Sequence, residues 1–177
     1  IGADGPSSLV IRSIYPDYPQ TIPWFFVGQK FHDIIDCPLS PDYFHFWFHP
    51  GLGHYTWSHA RDGRQIVGVG FKRGDNFAQK HANVVNYLAD KHGVRLQPHT
   101  EDEGCAENFG PSLINRYVFG KGNVLITGQA AGFLNMIGEG MSCALHSGAI
   151  CGEAVVEARL RNRPMQEMYR RMIASEV

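Results

Sequence analysis

The chain predicts an α+β fold, a mostly antiparallel sheet with flanking helices followed by a buried strand that feeds a long helix. Three observations carry this. Residues 43–49 (YFHFWFH), 54–60 and 65–71 are strand-like and joined by the short loops Pro50-Gly51-Leu52-Gly53 and Arg61-Asp62-Gly63-Arg64, which makes an antiparallel meander. Residues 76–92 carry Phe77, His81, Val84, Val85 and Leu88 at helical spacing between a capping Asn76 and a closing Gly93. Residues 123–127 (NVLIT) are a short apolar run ending at a glycine, as in a buried, parallel strand.

The remaining elements follow in order. Residues 1–3 end a strand, and Asp4-Gly5-Pro6 is the turn that stops it. Ser7 or Ser8 caps a short helix reaching Arg12. The two prolines of 15–20 (YPDYPQ) exclude regular structure there. Residues 21–32 are aromatic and β-branched and form a strand. In the 43–49 strand, His45, Trp47 and His49 fall on one face and Phe44, Phe46 and Phe48 on the other. Residues 104–119 hold one or two strands. A long helix runs from 138 or 139 to 160, and Pro164 opens a last helix to about 174.

Composition narrows the function classes. With 44% hydrophobic and 19% charged residues the chain is an ordinary globular one. A formal net charge of −1 gives no basic stripe for nucleic acid. The arginines 159, 161, 163, 170 and 171 alternate with Glu157 and Glu167, as on a solvated helix face. Cys37, Cys105, Cys143 and Cys151 form no C-x-x-C pair. Cys143 and Cys151 share a helix face too far apart to bridge, so the expectation is four reduced thiols and a cytoplasmic protein. Neither a signal peptide nor a membrane span is expected from the sequence. It opens inside a pattern, IGADG, which suggests a piece of a longer protein.

Five glycines punctuate ITGQAAGFLNMIGEGMSCALHSG, residues 126–148. A buried strand, a small-residue turn and a helix start present backbone N–H groups and the positive end of a helix dipole, which suits an anionic group. Tight strand–helix packing would use the same glycines.

Further motifs carry a resemblance. NVLITGQAAGFLNMIGEGMSCALHSG resembles the second flavin motif of FAD-dependent oxidoreductases of the para-hydroxybenzoate hydroxylase type, and above all the geranylgeranyl reductase branch. IGADGPSSLVIR is similar to the Asp-Gly motif of the same superfamily. Tyr55-Thr56-Trp57-Ser58-His59-Ala60, then seven residues, then Gly68-Val69-Gly70, is similar to the reductase Tyr-x-Trp-x-Phe-Pro…Gly-x-Gly signature. The motifs occur in the family order and cover most of the chain. Three departures stand out. Gln129 replaces the motif aspartate, keeping an acceptor but losing a charge-assisted bond. His59-Ala60 replaces Phe-Pro. No G-x-G-x-x-G follows a strand.

The resemblance implies FAD as cofactor, bound through Asp4, Gly5, Gly128, Gln129, Ala130, Gly132, Gly138, Glu139, Gly140 and Met141. It implies a substrate domain at 13–119, with 1–12 ending the FAD-binding domain and 120–177 returning to that Rossmann-like layer before the C-terminal helices. Tyr55, Trp57, Gly68 and Gly70 would meet the substrate, and Trp47 is a further aromatic candidate. His59 is the candidate proton donor. For Glu139, support of its own helix is the stronger alternative. The nine histidines show no zinc-ligand spacing, so no metal is expected. The implied activity is reduction of C=C bonds in an isoprenoid or other apolar molecule, with an electron donor such as NAD(P)H or ferredoxin and with peripheral membrane contact if the substrate is a lipid. A flavin-dependent aromatic hydroxylase, and a non-catalytic binding module with a decayed flavin site, are the alternatives.

Overall fold

In the computed structural model, residues 1–107, 109–135 and 137–177 are described, without the side chains of residues 100, 105 and 106. The elements are α1 (Leu9–Ile14), α2 (Tyr18–Thr21), β1 (Phe25–Asp36), β2 (His45–Trp47), β3 (Thr56–Arg61), β4 (Arg64–Lys72), α3 (Phe77–His92), β5 (Arg95–Glu107), α4 (Gly110–Leu113), β6 (Gly120–Lys121), β7 (Val124–Leu125), α5 (Gly128–Ala131), α6 (Met141–Leu160) and α7 (Met165–Ile173). They form two compact units, one of residues 25–105 and one of residues 1–24 with 106–177. The α+β expectation is borne out.

The 25–105 unit is a five-stranded sheet in the order β2-β3-β4-β1-β5, with α3 packed against β4. The β2-β3-β4 meander is antiparallel, and β1 joins it along β4 from Phe25↔Lys72 to Asp33↔Arg64. The β3–β4 turn has positive φ at both Asp62 and Gly63, the hairpin geometry whose twist matches its strands. Asn76 caps α3, its side chain accepting from Gln79 N, and Gly93 ends it in the left-handed region. Val67, Val69, Val84, Leu88, Val94 and Leu52 form the core on the α3 side.

The second unit is built on the β6–β7 hairpin and on a parallel bridge between Gly2 and Ile126. Gly2 N donates to Leu125 O at 2.7 Å and Thr127 N donates to Gly2 O at 2.9 Å. The inner face of α6 carries Ser147, Cys151, Ala154 and Ala158, small residues that let the helix sit close to its neighbours. Ile126, Tyr169 and Ile173 are fully buried with them, each worth roughly 1.5–3 kcal/mol of transfer free energy. Gln166 of α7 ties down the hairpin, its amide donating to Gly120 O and its oxygen accepting from Gly122 N.

Several expectations need correction. The strand expected at 43–49 is only His45–Trp47, because only these residues find ladder partners on β3; alternation of aromatics supplies no hydrogen bonds. The strand expected at 21–32 begins and ends four residues later, at Phe25 and Asp36. Residues 15–20 are not wholly irregular, since Pro19 sits in the first turn of α2, where a missing N–H costs nothing. No strand fills 108–119 among the described residues; the strand lies earlier, as β5. Its Pro98 is tolerated because β5 is an edge strand.

Candidate functional site

The parallel Gly2–Ile126 bridge makes Asp4-Gly5 and Gly128–Gly132 leave their strands at the same, carboxyl end, the end at which α/β sheets receive ligands. Several of the polar groups there are already committed. Asp4 accepts from Ser8 Oγ at 2.6 Å, Leu9 N at 2.7 Å and Val10 N at 3.2 Å, while Ser8 Oγ accepts from Ile11 N at 2.9 Å. Asp4 and Ser8 together cap α1. Partial burial pushes the Asp4 carboxyl up, but the Ser8 hydroxyl and the Val10 and Leu9 amides outweigh it and hold it below the ordinary aspartate value.

The Gly128 amide donates to Ser147 Oγ at 3.0 Å, and Thr127 Oγ1 donates to the same oxygen at 2.9 Å. Gly132 has φ +99°, and a Cβ there would lie 2.5 Å from Pro111 Cβ. Both motif glycines therefore have packing duties: one seats α6 on the turn, the other lets α5 end against α4. Ala130 is buried and Gln129 half-buried beside them.

Glu139 caps α6. Its carboxylate accepts from Ser142 N at 2.8 Å and from the Ser142 hydroxyl, and Asn135 Nδ2 donates to it at 3.2 Å. The Ser142 hydroxyl and amide hold this carboxyl below the ordinary glutamate value. Asn135 Oδ1 accepts from Glu139 N at 2.8 Å, closing the turn that carries Gly138. Gly140 is the N-cap residue and makes no side-chain cap. Met141 is exposed, as is Ile137. The Gly5 turn is open, with nothing within 4 Å of a Cβ placed there, whereas Gly138 N donates to Asn135 O at 3.1 Å and the Glu139 amide is already bonded to Asn135.

In the sheet unit, register decides which candidates meet. Trp57 and Gln29 both lie opposite Gly68, and His59 lies opposite Ile66, so Tyr55, Trp57 and His59 share the face turned away from α3. The Trp57 ring lies on Gly68, where a Cβ would come within 2.0 Å of Cε2. Tyr55 lies on Gly70 in the same way, and the Tyr55 and Trp57 rings stack at 5.5 Å. The two motif glycines are thus seats for the two motif aromatics. Trp47 is on the opposite face. Its ring lies tilted against His92 of α3 at 5.3 Å and donates Nε1–H to His92 Nε2 at 3.1 Å, which is an anchor for the helix. His59 stacks on Phe44 at 4.1 Å. Its Nδ1 is buried without a hydrogen bond, and burial, then Arg61, lowers its pKa, so the neutral imidazole is favoured.

Two sets of residues were not anticipated. Trp57 Nε1–H donates to Gln29 Oε1 at 3.3 Å, and Gln29 Nε2–H donates to Glu103 Oε2 at 2.8 Å. A trough of about 630 Å³ runs beside them, lined by Val27, Gly28, Gln29, Trp57, Asp102, Glu103 and Gly104. On the α3 side, buried His32 and His81 stack at 5.3 Å and 9°. Lys30 Nζ lies nearby, 3.1 Å from His99 Nε2 and 3.3 Å from Asp102. Helical spacing marked His81 as a core position, but nothing local in sequence pairs it with a strand residue. Among the described residues no group of three or more His, Cys, Asp or Glu is placed to hold a metal, and no helix is long and apolar enough to cross a membrane.

No family model matches the chain. It is 30% identical to protein CbrA of Escherichia coli strain K12 over 148 residues, covering 83% of this chain and 40% of that protein. It is equally identical to CbrA of Shigella flexneri serotype 5b over 151 residues, covering 85% and 39%. The chain thus spans about two-fifths of the length of these curated relatives. Among solved structures it resembles a geranylgeranyl bacteriochlorophyll reductase-like protein from Thermoplasma acidophilum, with TM-score 0.63 and 19% identity over 87% of this chain and 40% of that one. It also resembles the flavin-dependent halogenase CmlS, with TM-score 0.62 and 14% identity over 98% and 34%. The flavin-dependent brominase Bmp2 follows, with TM-score 0.56 and 11% identity over 96% and 45%. The chain shares its fold with these proteins.

Proposed function

We propose that the chain is the substrate-domain and C-terminal portion of an FAD-dependent oxidoreductase of the para-hydroxybenzoate hydroxylase superfamily, nearest in kind to the geranylgeranyl reductases, and that it acts on C=C bonds of an isoprenoid or other apolar molecule. The observation that carries this is the Gly2–Ile126 bridge. It brings the Asp-Gly motif and the glycine-rich motif to one strand end, although they lie at opposite ends of the chain. The fold shared with flavin-dependent proteins supports the same reading.

In this proposal the Gly5 turn, Gln129 and the backbone of Gly138–Met141 hold the flavin. Glu139 and Asp4 set the backbone that does so: each caps a helix and fixes the turn before it. Bound flavin supplies the hydride. Tyr55 and Trp57, seated on Gly70 and Gly68, give a rigid apolar wall against which a substrate is oriented. His59 is a titratable group on that face, and in its neutral form it can accept a proton or pass on its ring N–H. An electron donor such as NAD(P)H or ferredoxin completes the cycle.

The test is an oxygen and product balance. Under anaerobic conditions the reduced protein should be reoxidised by an alkene substrate, giving the saturated product. Oxygen uptake in step with a hydroxylated product would instead place it among the hydroxylases.

A further inference from the structure

Glu101, Asp102 and Glu103 follow one another on β5, and their surroundings differ. Arg64 Nη1 lies 3.0 Å from Glu101 Oε2, and Lys30 Nζ lies 3.3 Å from Asp102 Oδ1. Glu103 faces no cation among the described residues. Its partner is an amide, Gln29 Nε2.

The orientation of that amide is dictated. The indole N–H of Trp57 can only donate, so the Gln29 oxygen must face it and the Gln29 NH₂ must face Glu103. Trp57 is itself fixed, flat on Gly68 and 8% exposed. The relay Trp57–Gln29–Glu103 therefore runs from a buried indole to an uncompensated carboxylate at the trough. The trough, about 630 Å³, is of the size that takes a small molecule. Asp102 lines the trough as well, but its charge is offset by Lys30, which leaves Glu103 as the lining carboxylate without a cation beside it among the described residues.

We propose that this trough is a ligand seat with a charge filter, in which Glu103, held by Gln29 and Trp57, admits neutral or cationic small molecules and rejects anionic ones. The inference rests on the flavoprotein reading and deepens it. It assigns the substrate's charge class, favouring an apolar molecule with a neutral or ammonium-bearing end over one ending in carboxylate or phosphate.

Two probes of one ring system and opposite charge test it: 1-naphthylmethylammonium and 1-naphthoate, titrated into the flavin-loaded complete protein at low salt. Glu103 is exposed, and a unit charge about 5 Å away in water-like surroundings predicts that the cation binds roughly tenfold more tightly than the anion. Glu103→Gln keeps an oxygen for Gln29 and should bring the ratio near one. Gln29→Leu should weaken both probes, and added salt should shrink the wild-type ratio without any substitution. Equal or tighter binding of naphthoate, or a ratio that survives Glu103→Gln or high salt, overturns the filter. Failure of both probes to bind a protein that carries flavin removes the seat but leaves the flavoprotein reading standing. A protein without flavin that keeps the probe ratio removes the flavoprotein reading and supports the seat.

Discussion

His81 makes the 25–105 unit acid-sensitive by an amount that can be worked out. Its ring is 4% exposed and stacked on His32, and its Nε2–H reaches Val67 O at 3.2 Å. Burial first, then the neighbouring His32 and Lys30, lower its pKa from 6.5 to about 4. His32, hydrogen-bonded through Nδ1 to Gln97 O, is lowered by its own burial. His99 and Lys30 add positive charge on the same side, and Asp102 is the one carboxylate that faces them in this cluster. The native state therefore holds His81 neutral, while the unfolded chain takes up a proton below about pH 6.5. Stability is fully present above that pH and is lost as pH falls toward 4. At pH 4.5 the loss from this group is about 2.5 kcal/mol.

The matching perturbation is His81→Gln, which keeps a donor for Val67 O and does not titrate. In a Trp24→Phe background the remaining indoles, Trp47 and Trp57, both belong to this unit, so urea unfolding followed by fluorescence reports on it alone. The variant should lose about 1 kcal/mol at pH 7.5. Its stability should then fall about 2 kcal/mol less than wild type between pH 7.5 and 4.5. Parallel curves for the two proteins across that window would refute the reasoning.

Three further outcomes are expected. Gly132→Ala puts a side chain at φ +99° and into Pro111, and should lower unfolding stability by about 3 kcal/mol; a loss under half of that would mean the turn relaxes freely. Ser147→Ala leaves the Gly128 amide unpaired inside the core and should cost about 2 kcal/mol in urea titrations, whereas Ser147→Thr should recover part of it if the methyl is accommodated. Asp4→Ala removes the acceptor of the Leu9 and Val10 amides, leaving only the Ser8 cap of α1, and should cost about 1 kcal/mol by thermal unfolding; an unchanged melting curve would show that the Asp4 cap is idle.

Much of the fold was readable because local signals agreed with tertiary ones. Asn76 and Gly93 bound a periodic run that is α3, and Asp62-Gly63 mark the hairpin that joins β3 to β4. β5 was hidden because its residues, RLQPHTEDEGCAE, are polar and contain a proline, and only its position at the sheet edge makes that affordable. Candidate residues that lie in one motif were found together: Tyr55 and Trp57 are on one face because they are two apart on a strand. Trp47 also looked like a pocket aromatic, and pairing register sends it to the other face. Gln29, Glu103 and the His32–His81 stack join residues 49 to 74 positions apart, which no local pattern records.

Flavin binding tests the central claim most directly. This chain and the complete protein that contains it would be purified side by side, and their visible absorbance recorded before and after adding FAD. The proposal predicts oxidised-flavin bands in the complete protein that survive gel filtration, and their loss when Gly138 is replaced by valine in an otherwise folded protein. A folded complete protein that takes up no flavin at any FAD concentration would contradict the account and leave a small-molecule-binding module in its place.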